Sequence, residues 1–140
     1  MYQDCLRYLS KELILFLLIA LVGCTSTSAP IEFAPEGDII QQTILTKLNA
    51  HHRNLSKTIA ASPPQLQLKN ISVEKIDSFF LNRLPIYHLQ GFYDLNLAFA
   101  NQQQERRHNA FDIYLQRQKE GKTWRSLEKT ASGWRSYQLK

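Results

Sequence analysis

The segment from Tyr87 to Phe99 constrains the fold more than any other part of the chain. Tyr87, Leu89, Gly91, Tyr93, Leu95, Leu97 and Phe99 alternate with His88, Gln90, Asp94 and Asn96. Successive side chains of a strand point to opposite faces, so this alternation describes a strand with one face in a core and one toward polar surroundings. Phe111, Ile113 and Leu115 alternate in the same way with Asp112, Tyr114 and Gln116. The polar stretch Asn101 to Asn109 between the two is expected to turn a hairpin. Glu120-Gly121-Lys122 marks a further turn before two short strands, Trp124 to Glu128 and Gly133 to Leu139. Trp-Arg-Ser occurs in both, at 124–126 and 134–136, which suggests one hairpin turning near Thr130-Ala131 with both tryptophans closing the core end.

Upstream, the spacing predicts a helix. Asp38 with Gln41 three residues on has the form of a capping box. Ile40, Ile44, Leu48, His51, Leu55 and Ile59 then make one stripe at three- and four-residue steps, and Pro63-Pro64 stops it. His51 and His52 are adjacent, so their side chains diverge by about 100° and are poorly placed to chelate one metal. Leu66 to Leu81 reads as strand with a change of phase near Glu74-Lys75, the mark of a bulge. One long amphipathic helix followed by about five antiparallel strands is an α+β pattern, the helix packed across a curved sheet. At the level of pattern it resembles the cystatin-like and NTF2-like architectures, which implies nothing about activity.

The first 24 residues have a different character. Leu13 to Val22 reads LILFLLIALV, after a flank holding Arg7, Lys11 and Glu12. The run is shorter than the roughly 20 residues a membrane-spanning helix needs, and it has the form of a secretory signal segment. It ends in Leu21-Val22-Gly23-Cys24, which resembles the lipobox of bacterial lipoproteins at all four positions. The resemblance implies cleavage before Cys24, a diacylglyceryl group on the Cys24 thiol and acylation of the new amino terminus. Thr25 after the cysteine implies, under enteric-type sorting, the outer membrane; the outward-facing leaflet of the inner membrane is the alternative. The expected organisation is therefore a signal peptide at 1–23, a lipidated cysteine and flexible Ser/Thr/Pro-rich tether at 24–35, and one domain at 36–140. Tyr87 to Leu95, Phe111 to Gln118 and Glu120 to Arg125 also look like segments of uncharacterised lipoproteins of cyanobacteria. That likeness implies a photosynthetic or cell-envelope membrane and no particular activity.

Composition removes several function classes. The two cysteines are Cys5 and Cys24, so the domain holds no disulfide, thiol nucleophile or thiolate metal site of its own. No Ser-His-Asp order, Gly-rich phosphate loop or acidic metal cluster is recognisable, and no cofactor is expected. The net charge of +5 is concentrated from Glu105 onward, where nine basic residues face four acidic ones. Arg106, Arg107, Lys119, Lys122, Arg125 and Lys129 fall near expected strand ends and turns, so several are expected along one rim, close to lipid headgroups. They are dispersed among strands on a chain expected outside the cytoplasm, so nucleic acid is not an expected partner.

The residues able to supply acid–base chemistry are His88, Asp94, His108, Asp112 and Tyr114. His88 and Asp94 share a face of one strand about 20 Å apart and cannot form a dyad. Across the hairpin, Asp94 or Asn96 is expected to face Asp112 or Tyr114 in a polar patch opposite the core. Two readings follow. The first is a non-catalytic binding or assembly module, anchored through lipid on Cys24, that holds an envelope protein on an exposed sheet face or edge bearing aromatics such as Phe92 and Tyr114. The second is a small lipid-anchored enzyme or ligand-binding protein of NTF2-like type, which requires His88 or Asp112 in a concave pocket.

Overall fold

The computed structural model describes residues 28–139. The signal segment and Cys24 lie outside the described residues. A three-residue 3-10 turn, Ile31–Phe33, leads into helix α1 (Gly37–Ile59). Strands β1 (Gln65–Leu81), β2 (Leu84–Ala98), β3 (Gln103–Arg117), β4 (Trp124–Thr130) and β5 (Gly133–Gln138) follow. They form one antiparallel sheet in the order β1-β2-β3-β4-β5, a meander in which each strand pairs with its neighbour in sequence. The fold is α+β: one helix on one face of a curved, open five-stranded sheet. Among the described residues no helix is long and apolar enough to cross a membrane.

The core lies between the sheet and the first half of α1. Tyr87, Leu89, Tyr93, Leu95 and Leu97 of β2 point into it with Phe111, Ile113 and Leu115 of β3, and Ile40 and Ile44 of the helix are buried among them. Register explains the match, since Gly91, Leu89 and Tyr87 stand opposite Phe111, Ile113 and Leu115. Gly91 is required by its surroundings. A Cβ there would collide with the Ser72 carbonyl oxygen and press on the Phe111 ring at 3.0 Å.

The helix departs from its sequence pattern at both ends. It starts at Gly37 after an extended Glu36 that makes no side-chain cap, so Asp38 lies inside the first turn, where its Oδ1 accepts from the Ile39 N–H. The Asp38–Gln41 capping box is not formed, although a carboxylate in the first turn still suits the positive end of the helix dipole. Only the front of the apolar stripe packs: Leu48 is half-buried, whereas His51, Leu55 and Ile59 are exposed. His52, the half-buried histidine of the pair, titrates low because of burial and then the nearby positive charge of His51 and Arg106. The helix ends at a left-handed Ala60 whose N–H reaches the Ser56 carbonyl, before the prolines are met.

The strands also differ from expectation. The Asn101–Asn109 hairpin contracts to a short loop, because β3 already begins at Gln103 opposite Ala98. The bulge at Glu74 is present, between Val73 and Lys75, and a second falls between Lys69 and Ser72. A third irregularity lies opposite Tyr93–Leu95. The β1–β2 turn has φ of 52° at Asn82 and 64° at Arg83, the pair of positive values that two-residue hairpins of matching twist require.

The expected tether is a docked segment from Ala29 onward. Ala29 is buried, its carbonyl accepts from Ser78 Oγ at 2.6 Å, and the Pro30 carbonyl accepts from the Tyr87 hydroxyl at 2.8 Å. The Arg117 guanidinium lies 5.0 Å from the centre of the Phe33 ring. The physical reason is the Tyr87 side chain, fully buried and needing an acceptor for its hydroxyl, which the backbone of this segment supplies.

Candidate functional site

The helix covers one face of the sheet and leaves the other open. On the open face, three strands bring their even-numbered or register-matched side chains together. β2 stands with His88 opposite Asp77 of β1 and Tyr114 of β3, and with Gln90 opposite Lys75 and Asp112. His88 Nε2 is 2.9 Å from Asp112 Oδ1, and Gln90 Nε2 donates to the other Asp112 oxygen at 2.7 Å. On its other side, His88 Nδ1 lies 3.8 Å from Asp77 Oδ2, which is itself paired with Lys75 Nζ at 2.8 Å. The result is a cross-strand chain running Lys75–Asp77–His88–Asp112–Gln90.

Aromatic rings fix the middle of this chain. The Tyr114 ring stacks on the His88 ring with centroids 4.1 Å apart and planes within 7°. Trp134 meets Tyr114 edge-on at 5.0 Å and lies 6.1 Å from Phe79. The His88 side chain is consequently 16 % exposed, against 53 % for Asp112 and 49 % for Asp77. Ile86 and Leu127, the register partners of Phe79 and Tyr114, are buried outside the main core.

Burial pushes the Asp112 carboxyl up, but hydrogen bonds from Gln90 and His88 outweigh it, with positive charge from His88 and Lys47 adding to them, so the group titrates below its ordinary value. The Tyr114 hydroxyl is raised by burial and by the charges of Asp112 and Asp77. The hydrogen bond to Asp77, with its charge, raises Lys75. The arrangement holds one imidazole between two carboxylates, with donors and acceptors turned outward beside aromatic rings. It suits recognition by hydrogen bonding and stacking.

Of the residues singled out in the sequence, the structure brings together His88, Asp112 and Tyr114. Asp94 belongs elsewhere and does not face Asp112 or Tyr114. Its carboxylate accepts from Asn70 Nδ2 at 2.8 Å and from the His108 N–H at 2.8 Å. Asn70 and His108 have φ of 49° and 54°, so Asp94 ties together the irregular backbone of β1 and β3 on either side of β2. These bonds, from Asn70 first and then His108, lower its carboxyl. The hairpin register separates them: Asp112 stands opposite Gln90 and Asn96 opposite Glu105, so Asp94 lies across from the segment around His108. Phe92 also lies on the open face and stacks on His108 at 3.8 Å.

Asp77, Lys75, Gln90 and Trp134 were not singled out in the sequence. Gln90 was legible from its alternation with His88. Asp77 and Lys75 required the phase of β1 after the Glu74 bulge. Trp134 required the β4–β5 register, which sends the two tryptophans to opposite faces: Trp124 lies 5.9 Å from Tyr87 on the core side, and Trp134 joins the open face. Surface grooves of about 390, 420 and 440 Å³ flank the helix and strand edges, and none has His88, Asp94, Asp112 or Tyr114 in its wall. Among the described residues no group of three metal-ligating side chains converges.

Comparison of the chain with protein-family models, curated proteins and solved structures finds no match. The likeness to cystatin-like and NTF2-like folds therefore rests on layout alone.

Proposed function

We propose that the chain is a lipid-anchored protein of the bacterial cell envelope whose domain is a non-catalytic binding or assembly module. The observation that carries the anchor is the apolar run Leu13–Val22 closing on Leu21-Val22-Gly23-Cys24. Cleavage before Cys24 and acylation of its thiol would hold the domain on the outer membrane or the outward-facing leaflet of the inner membrane. Likeness to cyanobacterial lipoproteins in β2 and β3 agrees with an envelope or photosynthetic membrane. The open face supports the binding role, since His88, Asp112, Gln90, Tyr114 and Trp134 are ordered by one another and left uncovered. An envelope protein laid on this face is the partner that fits. The alternative, a small ligand-binding protein or enzyme of NTF2-like type, needs His88 or Asp112 inside a concavity, and they lie outside the grooves.

Expression of the full chain in a bacterium tests the anchor. Intact mass is expected to show loss of residues 1–23 and acyl mass on Cys24, and Cys24→Ser should remain an unprocessed precursor. Unacylated protein that still carries Met1 would overturn the reading. For the module, a photo-crosslinking residue at Gln90 should give one discrete adduct in the envelope, and the same residue at Lys57 should give none.

A further inference from the structure

We infer that one end of the domain, formed by Ile31–Phe33, Phe80 and the Asn82-Arg83 turn, rests in the interface of the bilayer that holds Cys24, as a second and non-covalent contact. The inference rests on the anchoring proposed above and adds an orientation to it. In the meander, the β1–β2 turn, the β3–β4 connection and the docked N-terminal segment all lie at the same end of the sheet. Ile31 is 62 % exposed, Phe33 48 % and Phe80 47 %, large apolar side chains left in water at that end.

Exposure alone does not choose the end, because Leu55, Ile59 and Phe99 are exposed toward the other. Chain length chooses it. Five peptide steps separate Cys24 from Ala29, so a lipidated Cys24 keeps Ala29 within at most about 18 Å of the lipid. Ala29 is fixed in the fold by Ser78 and its neighbour Pro30 by Tyr87, so the short tether holds this end of the domain nearest the lipid. Counted along β2, the distal hairpin lies up to about 50 Å away. The basic residues do not form the single rim expected from the sequence. Arg106 pairs opposite Leu95 toward the distal hairpin, whereas Lys119 and Lys122 follow β3 at the proximal end. At the proximal end Arg83, Arg117, Lys119, Lys122 and Arg125 are nearly balanced by Glu32, Glu36, Asp38 and Glu120. Contact there is consequently apolar in origin and does not require anionic lipid.

The test uses the processed, lipidated protein in phosphatidylcholine vesicles, with a fluorophore on a single introduced cysteine, Cys24 being blocked by its lipid. Glu32→Cys and Arg83→Cys report the proximal end without removing the apolar side chains, and Gln102→Cys reports the distal hairpin. Shallow nitroxide-labelled lipids should quench the two proximal labels several-fold more than the distal one. Raising salt or adding phosphatidylglycerol should change this little. Replacing Ile31, Phe33 and Phe80 together by Ser should lower quenching at Arg83→Cys toward the distal value. Vesicle-bound protein with equal quenching at both ends, or with quenching unmoved by the triple replacement, overturns the inference and leaves the anchor standing. Protein that does not float with the vesicles overturns both.

Discussion

The two faces of the sheet come from the same strands and are finished by different means. On the helix side, apolar side chains of β2 and β3 interlock with Ile40 and Ile44, and stability comes from area removed from water. On the open side, a histidine is held between two carboxylates under a tyrosine, and Trp134 packs beside Tyr114 and Phe79. The first face tolerates polar groups poorly, because an unpaired one would be buried. The second keeps Asp112, Gln90 and His88 because they bond one another across strands and Asp112 reaches solvent, while the side-chain oxygen of Asn96 is buried without a partner. A face ordered by its own hydrogen bonds yet lacking a cover layer is suited to a partner, whereas the covered face is already satisfied.

The comparison breaks most sharply on the helix. Ile44→Asp places an unpaired charge in the main core and is expected to cost on the order of 4 kcal/mol, a large part of the stability of a domain of this size. Leu55→Asp, on the same sequence stripe but exposed, should shift stability by less than about 0.5 kcal/mol. Denaturant titration of the two variants checks this. Equal losses would mean that the second half of the helix packs as tightly as the first.

That contrast also shows how far the sequence was legible. The three- and four-residue stripe announced the helix, and strict alternation announced β2 and the second half of β3. Periodicity reports which side chains share a face, not where a neighbour ends, so the stripe ran past the packed turns to Leu55 and Ile59. Bulges interrupt alternation by single residues, and the partners of Asp94 depend on two of them. The docking of Ala29 and Pro30 depends on a tyrosine hydroxyl far along the chain, which composition, rich in Ser, Thr and Pro, cannot reveal. Alternation singled out His88, Asp112 and Tyr114, but their juxtaposition depends on the hairpin register, which sets His88 and Gln90, rather than Asp94 or Asn96, opposite Tyr114 and Asp112. Asp77 and Trp134 come from strands whose phase only the folded register determines.

On the open face the largest single contribution is expected from Trp134, which touches both Tyr114 and Phe79. Trp134→Ala should cost about 1–2 kcal/mol, less than a core tryptophan because the side chain is only half-buried. A Trp134→Phe variant should recover most of the loss. If alanine proves neutral in thermal melts, the open face has no cluster of its own and its order comes from the strands alone.

The smallest effect, and the one that bears on the polar chain, is its dependence on pH. The Asp112 carboxyl titrates below its ordinary value of 3.8, the hydrogen bonds from Gln90 and His88 outweighing the effect of burial. A carboxyl depressed in the folded state stabilises the fold fully above its unfolded pKa, and that contribution disappears as pH falls through the lower folded value. The window is therefore below about pH 4. Asp94 is lowered too, by Asn70 and His108, and acts with the same sign, so the native protein should lose stability in acid through both groups. Asp112 is more than half exposed, and solvent screening keeps its share to about 0.2–1 kcal/mol. Asp112→Asn should thus be slightly less stable at pH 7 and should lose less on acidification, so the two stability curves converge below pH 4. Urea titrations at intervals from pH 7 to pH 2 measure the convergence. Parallel curves would show that the His88–Asp112–Gln90 bonds add nothing to the folded state, and the open face would then be ordered by its aromatic rings rather than by its charges.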